Sequence, residues 1–196
     1  MANPSPTHWK AVLRIYAYLN RTEDKALRIA AKGLDCEVSH FLDGLADADW
    51  AGCSATRRSH TGWMVRVGGV LVAWCSRRQT SVAQSTTEAE YIAAASLANE
   101  VVWWRRLCED LGYGGRGWVA LYCDNRSASV LADHEGRFDG VKHIAIKHHI
   151  LREYQHRGLI KVVWRPGSRM LADIFTKNCS VGHFKRLVSE MMGEEV

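Results

Sequence analysis

The stretch from residue 86 to 111 restricts this 196-residue chain more than any other feature. Within it Glu90, Ala94, Leu97, Val101, Trp104, Cys108 and Leu111 follow one another at alternating spacings of four and three. That period is one face of an α-helix. Gly112 ends the pattern, and Ser85 with Glu88 three residues on opens it as a capping box. In such a box the serine accepts from the Glu88 amide while Glu88 reaches back. A helix this long has to bury its stripe, and the flanking segments say against what.

Strand patterns fill residues 42–50, 61–67 and 70–75, the last two joined by Gly68-Gly69, a two-residue hairpin signal. After the long helix, 118–123 reads as a buried strand and 126–133 as a short helix. A further helix at 144–157 is stopped by Gly158, and 159–164 is a fifth strand. Pro166-Gly167-Ser168 starts a short helix, and 181–192 forms a terminal one. Upstream, Trp9, Val12, Leu13, Tyr16 and Leu19 mark a helix over 7–20. Residues 26–31 suit a short strand, and the pattern changes near residue 40. This order predicts an α/β fold: a mixed five-stranded sheet, antiparallel meander plus parallel strands, flanked by helices. Its functional crevice belongs at the carboxyl ends of strands, where strand order reverses.

Hydrophobic residues make up 47% and charged residues 24%, enough for a core and ordinary for a soluble domain. The net charge of +5 is modest, but its distribution is uneven. Between residues 140 and 170 stand Lys142, Lys147, Arg152, Arg157, Lys161, Arg165 and Arg169 against a single acid, Glu153. This is either a solvated face or a surface for nucleic-acid phosphates. The six cysteines have no paired zinc spacing, and His143, His148 and His149 have no H-E-x-x-H spacing, so a zinc site is disfavoured. No apolar run approaches the ~18–20 residues of a membrane span.

Four places carry carboxylates that such a sheet would gather. Asp47 and Asp49 alternate on one face near the end of the first main strand. Glu88 is used by the capping box, but Glu90 stands in phase with the apolar stripe. A carboxylate there is costly unless a cation or proton meets it, and the helix N-terminus helps by only roughly 0.3–1 kcal/mol. Asp124 directly follows a strand, where it would also serve as a helix N-cap. Asp173 lies in Leu171-Ala172-Asp173-Ile174 on a short helix. Together they suggest a cluster that repels itself without divalent metal; Mg²⁺ takes a few carboxylates plus water and phosphate oxygens.

These residues carry a resemblance. Ala46-Asp47-Ala48-Asp49-Trp50-Ala51-Gly52, Arg57-Arg58-Ser59 with Thr61-Gly62, and Trp74-Cys75-Ser76-Arg77-Arg78-Gln79 resemble the ribonuclease H region of copia-type retrotransposon Pol polyproteins. So do Ser85-Thr86-Thr87-Glu88-Ala89-Glu90-Tyr91, Tyr122-Cys123-Asp124-Asn125, Lys142-His143-Ile144 and Leu171-Ala172-Asp173-Ile174-Phe175-Thr176-Lys177. The resemblance implies the ribonuclease H-like fold and an acidic quartet that falls on Asp47, Glu90, Asp124 and Asp173, both catalytic and metal-binding. Asp47 is preferred to Asp49 on the resemblance alone. Departures from the pattern are Ala145, where an acid is usual, Asn178 in place of proline, and a loop 165–169 without histidine.

The implied activity is cleavage of the RNA strand of an RNA–DNA hybrid with two Mg²⁺ ions, or Mn²⁺, leaving 5′-phosphate and 3′-hydroxyl ends. Lys142, Lys147, Arg152, Arg165 and Arg169 are the expected nucleic-acid contacts. The expected division is 1–42 as a segment joining from the reverse transcriptase, 43–178 as the nuclease and 179–196 as a C-terminal helix. The expected partner is the reverse transcriptase domain of the same polyprotein, with no membrane. The expected place is the cytoplasm, in a virus-like particle, or the nucleus. The alternative is a weak or co-opted nucleic-acid-binding relic of the same domain. No Tyr-x-Asp-Asp is present for a polymerase, and an integrase of this fold would usually carry its Glu late, whereas here it comes second.

Overall fold

Alternating residues in 42–78 build a meander. The computed structural model describes residues 4–29, 41–113, 117–125 and 150–193. In it β1 (Leu42–Asp49), β2 (His60–Val67) and β3 (Val70–Arg78) pair antiparallel in sequence order. Gly68 and Gly69 both have positive φ, 59° and 80°. Those angles suit a two-residue turn whose twist matches its strands. β4 (Val119–Cys123) lies parallel to β1, and β5 (Ile160–Trp164) parallel to β4, so the sheet order is β3-β2-β1-β4-β5. The predicted mixed five-stranded sheet is the one observed. β3 runs three residues beyond the expected end, because Ser76, Arg77 and Arg78 continue to pair with β2 although exposed.

α1 (Pro6–Asn20) precedes the sheet, and α2 (Thr86–Asp110) crosses one of its faces. Gly44 permits the close approach of α2, since a Cβ there would lie 2.9 Å from Leu97 Cδ1 and 3.0 Å from Val101 Cγ2. Leu42, Ala46 and Trp63 of the sheet share a core with Leu97 and Val101 of α2 and with Leu151. Residues 150–156, here α3, are helical. The stripe of α2 is right in phase and departs only at Leu111, since Trp104 packs against the core and Cys108 is buried. Trp104 is half-buried, with Nε1 donating to Glu100, and Leu111 is exposed.

The opposite face packs Leu45, Met64 and Leu71 against Met170, Leu171 and Leu187. Leu187 belongs to α4 (Val181–Met192), capped by Ser180 and closed by Gly193 at φ 72°. The expected helix after Pro166 is instead two 3-10 turns, Gly167–Arg169 and Leu171–Phe175, interrupted by the extended Met170. Of the expected strand at 26–31, the part among the described residues has no regular structure. The expected helix at 126–133 and the first half of that at 144–157 lie outside the described residues. α1 forms, but none of its residues is buried. Tyr18 meets Phe184 of α4 edge to face, with ring centroids 5.8 Å apart.

Candidate active site

The register of the sheet decides where the first acids meet. The β1–β4 ladder pairs Leu45 with Tyr122. Two residues further along each parallel strand stand Asp47 and Asp124. β1 also pairs Asp47 with Gly62 of β2, and Gly62 leaves room for the turn that carries Asp173. The carboxylates of Asp47, Asp124 and Asp173 each offer an oxygen within 4.8 Å of the others. Asp47 is fully buried and Asp173 nearly so, while the Asp124 side chain keeps 24% of its exposure.

Glu90 reaches the same end of the sheet from the first turn of α2. Its Oε1 accepts from the Ala48 amide at 3.1 Å, and its buried Oε2 has no hydrogen-bond partner. Burial, reinforced by the charges of Asp47 and Asp124, pushes its carboxyl up to about 9. Burial first, and then Asp47, also holds Asp124 above the ordinary carboxylate range. Asp173 is raised by burial and then by Asp47, against the opposing bond from Lys177.

Two neighbours of Asp173 complete the cluster, and sequence reasoning assigned neither a role. Lys177 Nζ lies 2.9 Å from Asp47 Oδ1, 2.8 Å from Asp173 Oδ1 and 3.9 Å from Asp124 Oδ2. Burial works to lower the Lys177 pKa, but its bonds to Asp173 and Asp47 outweigh that and raise it. The Thr176 hydroxyl donates to Asp47 Oδ2. The available signal was spacing: Lys177 follows Asp173 by four, which brings two side chains together on a helical turn. Gln79 ends the Trp74–Gln79 motif. Its Nε2 donates to Thr61 Oγ1 and to the Ala89 carbonyl, both at 3.0 Å, tying the start of α2 to β2.

The other acids take structural places. Ser85 Oγ accepts from the Glu88 amide at 3.1 Å as expected, but Glu88 reaches back to the Gln84 amide, one residue before the cap. Asp49 folds over its own turn, its carboxylate filling the space a Cβ at Gly52 would take. Among the expected nucleic-acid contacts, Lys142 and Lys147 lie outside the described residues. Arg165 places its guanidinium 5.1 Å from the Tyr122 ring, and Arg169 is exposed on the first 3-10 turn. Arg152 is half-buried, with Nε and Nη2 shielded from solvent.

The donor set is all hard oxygen, and the orphaned buried Oε2 of Glu90 is an atom that lacks a cation or proton donor. Both features fit Mg²⁺ or Mn²⁺ and not a soft metal. Asp47, Asp124 and Asp173 are the residues that would hold such ions, with Glu90 joining on loss of its proton.

No family model matches the chain. It is 34% identical over 193 residues to the retrovirus-related Pol polyprotein from transposon TNT 1-94 of Nicotiana tabacum, covering 98% of this chain and 14% of that one. It is 33% identical over 180 residues to the corresponding polyprotein from transposon RE2 of Arabidopsis thaliana, covering 92% and 12%. The chain therefore corresponds to a small part of the length of these relatives. Among solved structures, a ribonuclease H1 isolated from compost by a metagenomic approach superposes with a TM-score of 0.52. It shares 13% identity over 70% of this chain and 93% of that one, a likeness of fold alone. The resemblance read from the motifs and the fold read from the sheet thus meet, and the chain belongs to the copia-type retrotransposon Pol polyproteins, as a segment with the ribonuclease H fold.

Proposed function

We propose that this chain is a metal-dependent endoribonuclease that cleaves the RNA strand of RNA–DNA hybrids. The observation that carries the reading is the meeting of Asp47, Asp124 and Asp173 within 4.8 Å at the carboxyl ends of β1 and β4. Three carboxylates so close repel one another, and a protein that only bound phosphates would gain nothing from assembling them.

Asp47, Asp124 and Asp173, with Glu90, would hold two divalent ions, which would supply Lewis acidity for the attack of water on a phosphodiester. The chain's own residues supply position. Thr176 holds one oxygen of Asp47, and before metal binds Lys177 holds the other. Glu90 is fixed through one oxygen by the Ala48 amide, and its other oxygen is buried without a hydrogen-bond partner. Asp124 is the most exposed of the four, and so the one open to a substrate phosphate. Arg165 and Arg169, with Lys142 and Lys147, contact the backbone phosphates of the hybrid. Discrimination rests on the 2′-hydroxyls and groove shape rather than on bases. The partner assigned to the chain is the reverse transcriptase region of its polyprotein, in a cytoplasmic virus-like particle or in the nucleus.

The test is cleavage of an end-labelled RNA–DNA hybrid with and without Mg²⁺, beside Asp124→Asn. Metal-dependent cutting of the RNA strand, absent in the variant and absent on duplex DNA, is expected. A folded chain that binds the hybrid in Mg²⁺ without cutting it would leave the relic reading in its place.

A further inference from the structure

We propose that the Lys177 ammonium is the resident counter-ion of the acidic cluster, and that divalent cations must expel it to bind. The inference rests on the metal-dependent reading above and assigns Lys177 a regulating role in the same site.

The geometry is that of a cation already in place. Nζ sits between Asp47 Oδ1 at 2.9 Å and Asp173 Oδ1 at 2.8 Å, with Asp124 Oδ2 next at 3.9 Å. Those are the three carboxylates whose oxygens come together, so the ammonium occupies the gap they define. Mg²⁺ binds carboxylate oxygens at about 2.0–2.1 Å. An ion on Asp47 Oδ1 and Asp173 Oδ1 would stand almost in contact with Nζ, in a half-buried site where like charges are poorly screened. The two cations are alternatives.

Lys177 is built to leave. Its side chain retains 40% of its exposure, whereas Asp47 beneath it has none. The backbone around it is anchored separately: the amides of Thr176 and Lys177 donate to the Asp173 carbonyl at 3.1 and 2.8 Å. The Thr176 hydroxyl holds the second oxygen of Asp47 independently. When the lysine swings out, Asp47 keeps its orientation and Asp173 its turn, so the carboxylates stay arranged for an incoming ion. Before metal arrives, the ammonium offsets one of three neighbouring negative charges and keeps the cluster folded.

Two readouts other than cleavage test this on the full chain. In the first, Mn²⁺ is titrated against wild type, Lys177→Gln and Asp124→Asn, and free Mn²⁺ is counted by its paramagnetic resonance signal. Loss of the competing charge-assisted bonds should tighten binding in Lys177→Gln by about tenfold or more, while Asp124→Asn weakens it. In the second, wild type is acetylated with and without saturating Ca²⁺, and peptides are read by mass spectrometry. Ca²⁺ should raise the labelling rate of Lys177 several-fold relative to the exposed Lys185. Equal or weaker Mn²⁺ binding by a folded Lys177→Gln would overturn the inference. So would Lys177 labelling left unchanged at Ca²⁺ concentrations that displace Mn²⁺ from wild type. Mn²⁺ binding by neither protein is a different result: it overturns the metal-dependent reading and this inference with it.

Discussion

Thr176 rests its methyl group on the bare backbone of Gly62: a Cβ at that glycine would lie 2.6 Å from Thr176 Cγ2 and 2.8 Å from Phe175 Cβ. Gly62 is also the cross-strand partner of Asp47. The same close approach therefore brings the Thr176 hydroxyl onto Asp47 and sets the turn bearing Asp173 and Lys177 above the strand end. Gly62→Ala should lift that turn. We expect a loss of about 1–3 kcal/mol in urea denaturation, as for other overpacked sites, together with weaker Mn²⁺ binding. Wild-type stability and affinity in this variant would show that the turn tolerates the displacement.

Glu90 gives the metal-free protein a pH dependence of definite sign. Its carboxyl is raised from 4.5 to about 9 by burial and by the nearby acids. Folded protein therefore holds this proton more tightly than unfolded chain. Stability is unaffected below about 4.5 and falls as pH rises from there to about 9. Glu90→Gln keeps an oxygen to accept from the Ala48 amide and removes the charge. It should flatten that fall, so that without metal the variant is the more stable protein at pH 8. Thermal melts in EDTA across pH 5–9 would show it, and parallel curves for both proteins would refute it. Saturating Mg²⁺ should narrow the difference, by favouring the ionised form of wild type.

The sheet and the acids were legible for different reasons. Hairpin glycines and the phase of α2 are local signals, and both survived folding. Glu90 stood out because a carboxylate on an apolar stripe has no cheap explanation, and it is indeed buried at 6% exposure. Asp47 against Asp49 was not decided by alternation, since both alternate on the same face. What separates them is the turn at Gly52, which takes up Asp49. Lys177 was hidden because its partners Asp47 and Asp124 are 130 and 53 residues away, and no pattern in its own neighbourhood records them. Leu111 misled in the other direction: it stands at the C-cap of α2, beyond the buried Cys108, and is 64% exposed.

Leu187 shows that α4 is part of the core on the second face. It is 1% exposed and clusters with Leu45, Met64 and Leu171. Leu187→Ala should cost about 2–5 kcal/mol, the usual range for a cavity left by a buried leucine. Trp9→Ala on α1, where the side chain is 63% exposed, should change stability by within about 0.5 kcal/mol. Chemical denaturation of the two variants side by side separates a structural helix from an uncovered one. Equal losses would mean that α1 is packed in solution.

The loop after β5 brings backbone against the acidic cluster. A Cβ on Gly167 would lie 3.4 Å from Asp124 Oδ2, so this loop touches the cluster, and Arg165 and Arg169 flank it. On the proposed reading, Arg165 and Arg169 contact phosphates on either side of the scissile one. Arg165→Ala and Arg169→Ala should each weaken hybrid binding at low salt and reduce the slope of log affinity against log salt by about one. Arg152→Ala should behave otherwise. Arg152 is half-buried with Nε and Nη2 shielded from solvent, so its removal should lower stability while the salt slope stays. Binding measured by anisotropy from 50 to 200 mM salt distinguishes the two classes. An unchanged slope in both loop variants would move the phosphate contacts away from this loop, to the residues around Lys142 and Lys147.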